Sequence, residues 1–114
     1  MNLKFIYKII DNDEWLKAKE KGLYSGSKKD LKDGYIHFSE QDQINKTLNR
    51  FFKNQKDLVL LKVDSQKLDH LLWEQASDGS FFPHLYSNLD IQSVVLEKPI
   101  LTNDDGFYDL LLDF

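Results

Sequence analysis

The stretch DGYIHFSEQDQ, residues 33–43, decides how the chain is read. Tyr35 to Ser39 has the aromatic and β-branched character of a strand. Successive strand side chains point to opposite faces. Ile36 and Phe38 then share one face, and Tyr35, His37 and Ser39 share the other. An imidazole and a hydroxyl side by side on so apolar a strand mean that this face is either open to water or lines a site. Ser39 ends the strand and offers a cap to the next helix. There Ile44, Thr47, Leu48, Phe51 and Phe52 recur at the spacing of one helix face.

Working outward, LKFIYKII at 3–10 reads as a strand buried on both faces. Asp11 or Asn12 can cap a short helix over DEWLKAKEK that stops at Gly22. LYSGSKKDLKDG at 23–34 is polar and glycine-punctuated, so a loop or broken turn is expected. LVLLKV at 58–63 is nearly continuous and apolar, as a central strand requires. In HLLWEQ at 70–75, His70, Leu72 and Glu74 fall on one strand face, and Leu71, Trp73 and Gln75 on the other. SDGSFFPHLYSNLD is interrupted by Gly79 and Pro83 and reads as largely irregular. SVVLEKPI and GFYDLLLDF are two further strand candidates. Two helices and five or six strands, mixed along the chain, predict an α+β domain on a curved or split mixed β-sheet.

The 114 residues match one ordinary domain, and 41% hydrophobic content is enough for one core. The expectation is a single domain over 1–114. The absence of cysteine excludes disulfides, thiol nucleophiles and thiolate metal sites, and fits a reducing compartment. Asp11, Asp13 and Glu14 cut the first apolar run too short for a signal peptide, and no run can span a bilayer. A cytoplasmic protein without a membrane partner is the plain expectation. Net charge is −4, and the acid excess sits in Asp104, Asp105, Asp109 and Asp113, so no general nucleic-acid footprint exists. Lysine clusters at 28–32 and 46–56 read as solvated faces. The apolar C-terminal segment is a candidate dimer edge, so a monomer or a homodimer is expected.

Glu74 beside Trp73 is a carboxylate with an apolar neighbour, a setting that raises a pKa toward acid–base use. The plainer alternative is a strand-end glutamate facing water. In FFPHLY, Pro83 restricts the backbone before His84, which suits a side chain aimed into a site. The alternative is a histidine that bonds backbone carbonyls in a packed loop. His37, Glu74 and His84 have ligand types that suit zinc, but the spacing matches no metal motif, and no metal is expected. GxGxxG, Walker A, HExxH and nucleophile-elbow patterns are absent, which argues against dinucleotide-fold, P-loop and serine-hydrolase chemistry.

YKI at 7–9, Trp15, GLYSGSKKDLKDGYIHFS at 22–39, Gln43, Thr47, LVLLKVD at 58–64, WE at 73–74 and FPHLY at 82–86 together resemble the bacterial domain of unknown function 952 family. The likeness runs over roughly residues 5–97, leaving 98–114 as a C-terminal strand extension. Ser87 stands where the family usually has glycine, and NLD at 88–90 where it has a proline-rich turn. The resemblance implies an ADP-ribosyltransferase-like fold, a split pair of small sheets with NAD held between them. It also implies roles. His37 with Ser39 would hold a ribose, Glu74 would stabilise positive charge or act as base, and His84 with Tyr86 would stack or hydrogen-bond. Tyr7 and Lys8 stand where that fold places a ligand-gripping residue on its first strand, and Gln43 joins them as a ligand contact. These residues leave three functions open: an enzyme acting on an NAD-like nucleotide or ribosyl ligand, a non-catalytic binding module of the same fold, or a two-histidine acid–base hydrolase.

Overall fold

The computed structural model describes residues 4–101. The strand candidate GFYDLLLDF, the four C-terminal aspartates and the candidate dimer edge lie outside the described residues. Strand β1, Phe5–Asp11, is buried along nearly its whole length. Helix α1, Asn12–Lys21, comes directly after it. The Asp11 carboxylate accepts from the Glu14 amide at its start, and Gly22 at φ 83° closes it in the left-handed region that glycine adopts without strain. Trp15 and Ala18 face the core, and the Trp15 indole N–H donates to Glu97 Oε2 at 2.9 Å.

The segment expected as a loop contains strand β2, Leu23–Tyr24, and helix α2, Lys28–Asp33. Six residues make a helix here because its start is capped from both sides and the Gly34 amide donates to the Asp30 carbonyl at its end. Ser27 Oγ accepts from the Asp30 amide at 3.1 Å, and Asp30 Oδ2 accepts from the Ser27 amide at 2.9 Å. This reciprocal capping box satisfies two amide donors that would otherwise lack partners. Strand β3, Ile36–His37, comes next, then a 3-10 turn at Gln41–Gln43 and helix α3, Ile44–Phe51. Ser39 does not cap that helical stretch. Glu40 holds the cap position and its amide donates to Gln43 Oε1 at 2.9 Å, while Ser39 Oγ lies 3.3 Å from Thr47 Oγ1. Ile44 and Leu48 are buried as the periodicity predicts, but Phe51 stands exposed.

The remaining strands are β4, Leu58–Asp64, β5, Leu71–Gln75, β6, Phe81–Leu85, β7, Leu89–Asp90, and β8, Val94–Ile100. They form three sheets, ordered β1-β4-β8, β2-β7 and β3-β6-β5. The predicted split is present, and every described pairing is antiparallel where a mixed sheet was expected. β8 runs three residues beyond position 97, so the first part of the expected extension belongs to a core sheet. The irregular reading of FFPHLY is corrected: β6 is the middle strand of its sheet. A middle strand tolerates Pro83 because the residue accepts rather than donates at the β3 side, taking the Phe38 amide at 3.0 Å. Beyond Phe38 the chain leaves β6. Ser39 and Tyr7 exchange both backbone hydrogen bonds at 2.8 Å, so residues 36–39 join the two larger sheets.

Alternation along β1 and β4 feeds two core clusters. Ile6, Ile10, Trp15, Leu61 and Leu85 pack on one side, and Tyr7, Ile9, Ile44, Leu48 and Leu60 on the other. Lys8 lies among the first set with its ammonium 2.9 Å from Asp30 Oδ2, and side-chain exposures of 6% and 2% make this a buried ion pair. Asp30 Oδ1 also accepts from the His37 amide at 3.2 Å.

Leu60→Ala should lower the unfolding free energy by about 2–5 kcal/mol, whereas Leu96→Ala on the exposed edge should change it by less than about 0.5 kcal/mol; equal urea midpoints would refute this core assignment. Asp30→Asn should cost about 3–5 kcal/mol, because it leaves the Lys8 charge buried without its counter-ion. Burial alone would raise the Asp30 carboxyl, but His37, Lys8 and the Ser27 amide outweigh it and hold it well below the aspartate range. A carboxyl lowered on folding stabilises above its unfolded value and loses that contribution as pH falls through the folded one. The wild-type urea midpoint should therefore drop as pH falls below about 4, and Asp30→Asn should drop less steeply. Parallel acid limbs would contradict this role for Asp30.

Candidate functional site

The β3-β6-β5 sheet presents Ile36, Leu85, Leu71 and Trp73 to the core. Its other face carries the polar residues. His37 on β3 stands directly opposite His84 on β6, which in turn stands opposite Leu72 on β5. Directly opposed residues share a face, so antiparallel register alone brings the two histidines together. Their ring centroids are 5.5 Å apart at 69°. Tyr35 stacks on His84 at 4.0 Å and 20°.

Each imidazole is braced by a carboxylate. His37 Nδ1 lies 2.6 Å from Asp30 Oδ1, and His84 Nδ1 lies 2.9 Å from Glu74 Oε1. The Tyr86 hydroxyl donates to the same Glu74 oxygen. A carboxylate at Nδ1 takes the N–H there and leaves Nε2 of a neutral ring as the acceptor. Burial lowers the His84 pKa, and the bond from Glu74 only partly opposes this, so the ring is neutral at neutral pH. Tyr86 and then His84 lower the Glu74 carboxyl, and Glu74 in turn pushes the Tyr86 hydroxyl up to about 12. His37 is placed differently, because its Nε2 lies 3.1 Å from a second carboxylate, Asp33 Oδ2. An imidazole donates from both nitrogens only when protonated.

A cavity of about 710 Å³ opens between the sheets. His37, His84, Tyr7, Lys8 and Ser39 all line it, so five of the eight residues singled out from sequence converge there. Glu74 sits behind His84 and reaches the cavity through it. Gln43 and Tyr86 lie outside the lining. The Gln43 amide is committed to the Glu40 amide and the Phe81 carbonyl, and so joins the 3-10 turn before α3 to β6. Asp30, Asp33 and Tyr35 are site residues that had not been singled out from sequence. The Ser27-x-x-Asp30 capping pattern was a local signal for the first, and the i, i+4 spacing of Lys29, Asp33 and His37 for the second. Tyr24 also lines the cavity, while its hydroxyl is buried and makes no hydrogen bond of ordinary geometry. Exposed Lys28, Lys29, Arg50 and Phe51 form the outer rim. Among the described residues no group of three or more histidines and acids is arranged to hold a metal, and no helix is long and apolar enough to cross a membrane.

Comparison with known proteins agrees with the arrangement of the fold. The crystal structure of protein CC0527 from Caulobacter crescentus is similar at 40% identity, with a TM-score of 0.88, over 92% of this chain and 93% of that one. The solution structure of CC0527 is similar at 40% identity and a TM-score of 0.82, over 92% and 91%. No curated protein matches the chain. The model of the family described as "Protein of unknown function (DUF952)" matches residues 9–97. That match spans most of the chain, including both histidine strands, and the chain belongs to this family.

Proposed function

We propose that the cavity binds a nucleotide or ribosyl ligand of the NAD type, and that His84 carries out acid–base chemistry on it while His37 holds the ligand. The observation that carries this reading is the pair of opposed histidines, each braced by its own carboxylate, on the wall of one cavity. The cavity volume falls within the usual range for small-molecule sites. A cleft between split antiparallel sheets also supports the ADP-ribosyltransferase-like fold assignment. In this scheme neutral His84 accepts a proton at Nε2 from an attacking water or hydroxyl as the bond from ribose C1′ to nicotinamide breaks. His37 orients the ligand. With water as acceptor the products are ADP-ribose, nicotinamide and one proton. Glu74 is a positioning residue that acts through His84.

A second reading, binding without turnover, is favoured by one contact. Tyr35 covers a face of His84 at 4.0 Å, which narrows access to that ring.

NAD should raise the thermal unfolding midpoint, and nicotinamide should appear over hours. His84→Ala should slow release by about 10²–10⁴-fold while the protein stays folded. Since neutral His84 is the active form, the rate should rise with pH through a midpoint below the usual histidine value of about 6.5. Glu74→Gln removes the group that raises His84, so it should move this limb to still lower pH as well as slow the reaction. A midpoint shift with NAD but no release selects the binding module. The absence of both shift and release excludes an NAD-type ligand.

A further inference from the structure

The contact between Asp33 and His37 has no part in this acid–base chemistry. Asp33 Oδ2 lies 3.1 Å from Lys29 Nζ and 3.1 Å from His37 Nε2. One carboxylate oxygen thus bridges an ammonium and an imidazole nitrogen, and all three residues line the cavity. That is how an oxyanion is held: by a point cation on one side and a directional N–H on the other. All three side chains are partly exposed, so holding the aspartate there costs little and exchanging it for another anion costs equally little. Two further cations, Lys28 and Arg50, line the same cavity from its exposed rim, and the Lys29 ammonium also lies 5.4 Å from the Phe51 ring centre. Asp30 differs from Asp33 in this respect. It is buried, bonded to four N–H groups and cannot leave without breaking the fold.

We propose that Lys29 and His37 form an oxyanion subsite for a phosphate group of the cavity's ligand, and that the Asp33 carboxylate occupies this subsite until the ligand displaces it. The proposal deepens the nucleotide reading and rests on it for the ligand class, but not for turnover. Asp33 then acts as an internal competitor. Lys29 and His37 stay paired when the cavity is empty, and small anions are kept from filling the subsite. The subsite also orients the ligand, with its phosphate at the His37 end and the ribose toward His84.

The test is a titration of inorganic pyrophosphate and, separately, ADP-ribose, monitored by the ring C–H signals of His37 and His84 in NMR spectra. Asp33→Asn keeps the side-chain shape and removes the competing charge. It should bind pyrophosphate about three- to fivefold more tightly than wild type, the scale of one exposed ion pair. Lys29→Ala should weaken binding by a similar factor. The double variant Lys29→Ala/Asp33→Asn separates displacement from a general change in charge. If Asp33 competes for Lys29 and His37, most of the Asp33→Asn gain disappears when Lys29 is absent. A gain that persists unchanged, or no gain at all, overturns the subsite. The two readings fail separately. ADP-ribose that moves the His84 signal, with no gain from Asp33→Asn, leaves the nucleotide reading standing and removes the subsite. A Lys29-dependent gain for pyrophosphate with no ADP-ribose binding keeps the subsite and removes the nucleotide reading.

Discussion

The fold and its site depend on one buried carboxylate. Asp30 accepts from Lys8 on β1, from the Ser27 amide at the head of α2, and from both the backbone and the ring of His37 on β3. These groups come from three segments that belong to no common sheet, β1 and the β3 segment meeting only at the Tyr7–Ser39 bridge. A buried charge is tolerated only when it is paired and its lone pairs are filled, and Asp30 meets both conditions. The constraint is mutual. Lys8 is buried in the β1 face, and burial works against its charge unless Asp30 stays opposite. The ion pair therefore fixes α2 against β1, and with α2 it fixes where the His37 ring points.

The cleft arises because β3 serves two sheets in turn. Ile36 and His37 pair with β6, and two residues later Ser39 pairs with Tyr7 on β1. A continuous sheet would have closed over this space. The transfer leaves a gap into which His37 and Ser39 both project, together with Tyr7 and His84. This explains the polar face of an otherwise apolar strand. The two histidines also end in unlike surroundings: His84 is more buried and has one carboxylate, and His37 is more exposed and lies between two. Two identical side chains thus stand in unlike electrostatic settings, set by the carboxylates around them.

How legible each element was depends on its length. β1 and β4, seven residues each, and α1 with its caps carry periodic or terminal signals strong enough to read directly. β2, β3 and β7 have two residues each, too few for any period to show. α2 was hidden by its own composition, since KKDLKD has one apolar residue and Leu31 is exposed. Its capping box was the readable feature. β6 was masked by Pro83, whose missing donor is harmless only because the neighbouring strand departs at that point. His37 could be singled out as an odd polar residue in an apolar strand, and His84 by the rigid proline before it, but nothing local said that they would face each other.

From its residues alone, the chain was bound to be a small α+β protein with a long buried first strand, a central strand over 58–63 and an amphipathic helix after Ser39. These features come from short-range periodicity and capping, which need no partner. The register that sets His37 against His84, the choice of Asp30 and Glu74 as their carboxylates, and the gap between the sheets were settled only in three dimensions. Strand register depends on pairings between distant segments. The position of a buried charge is likewise decided by whichever counter-charge the packed chain brings within reach.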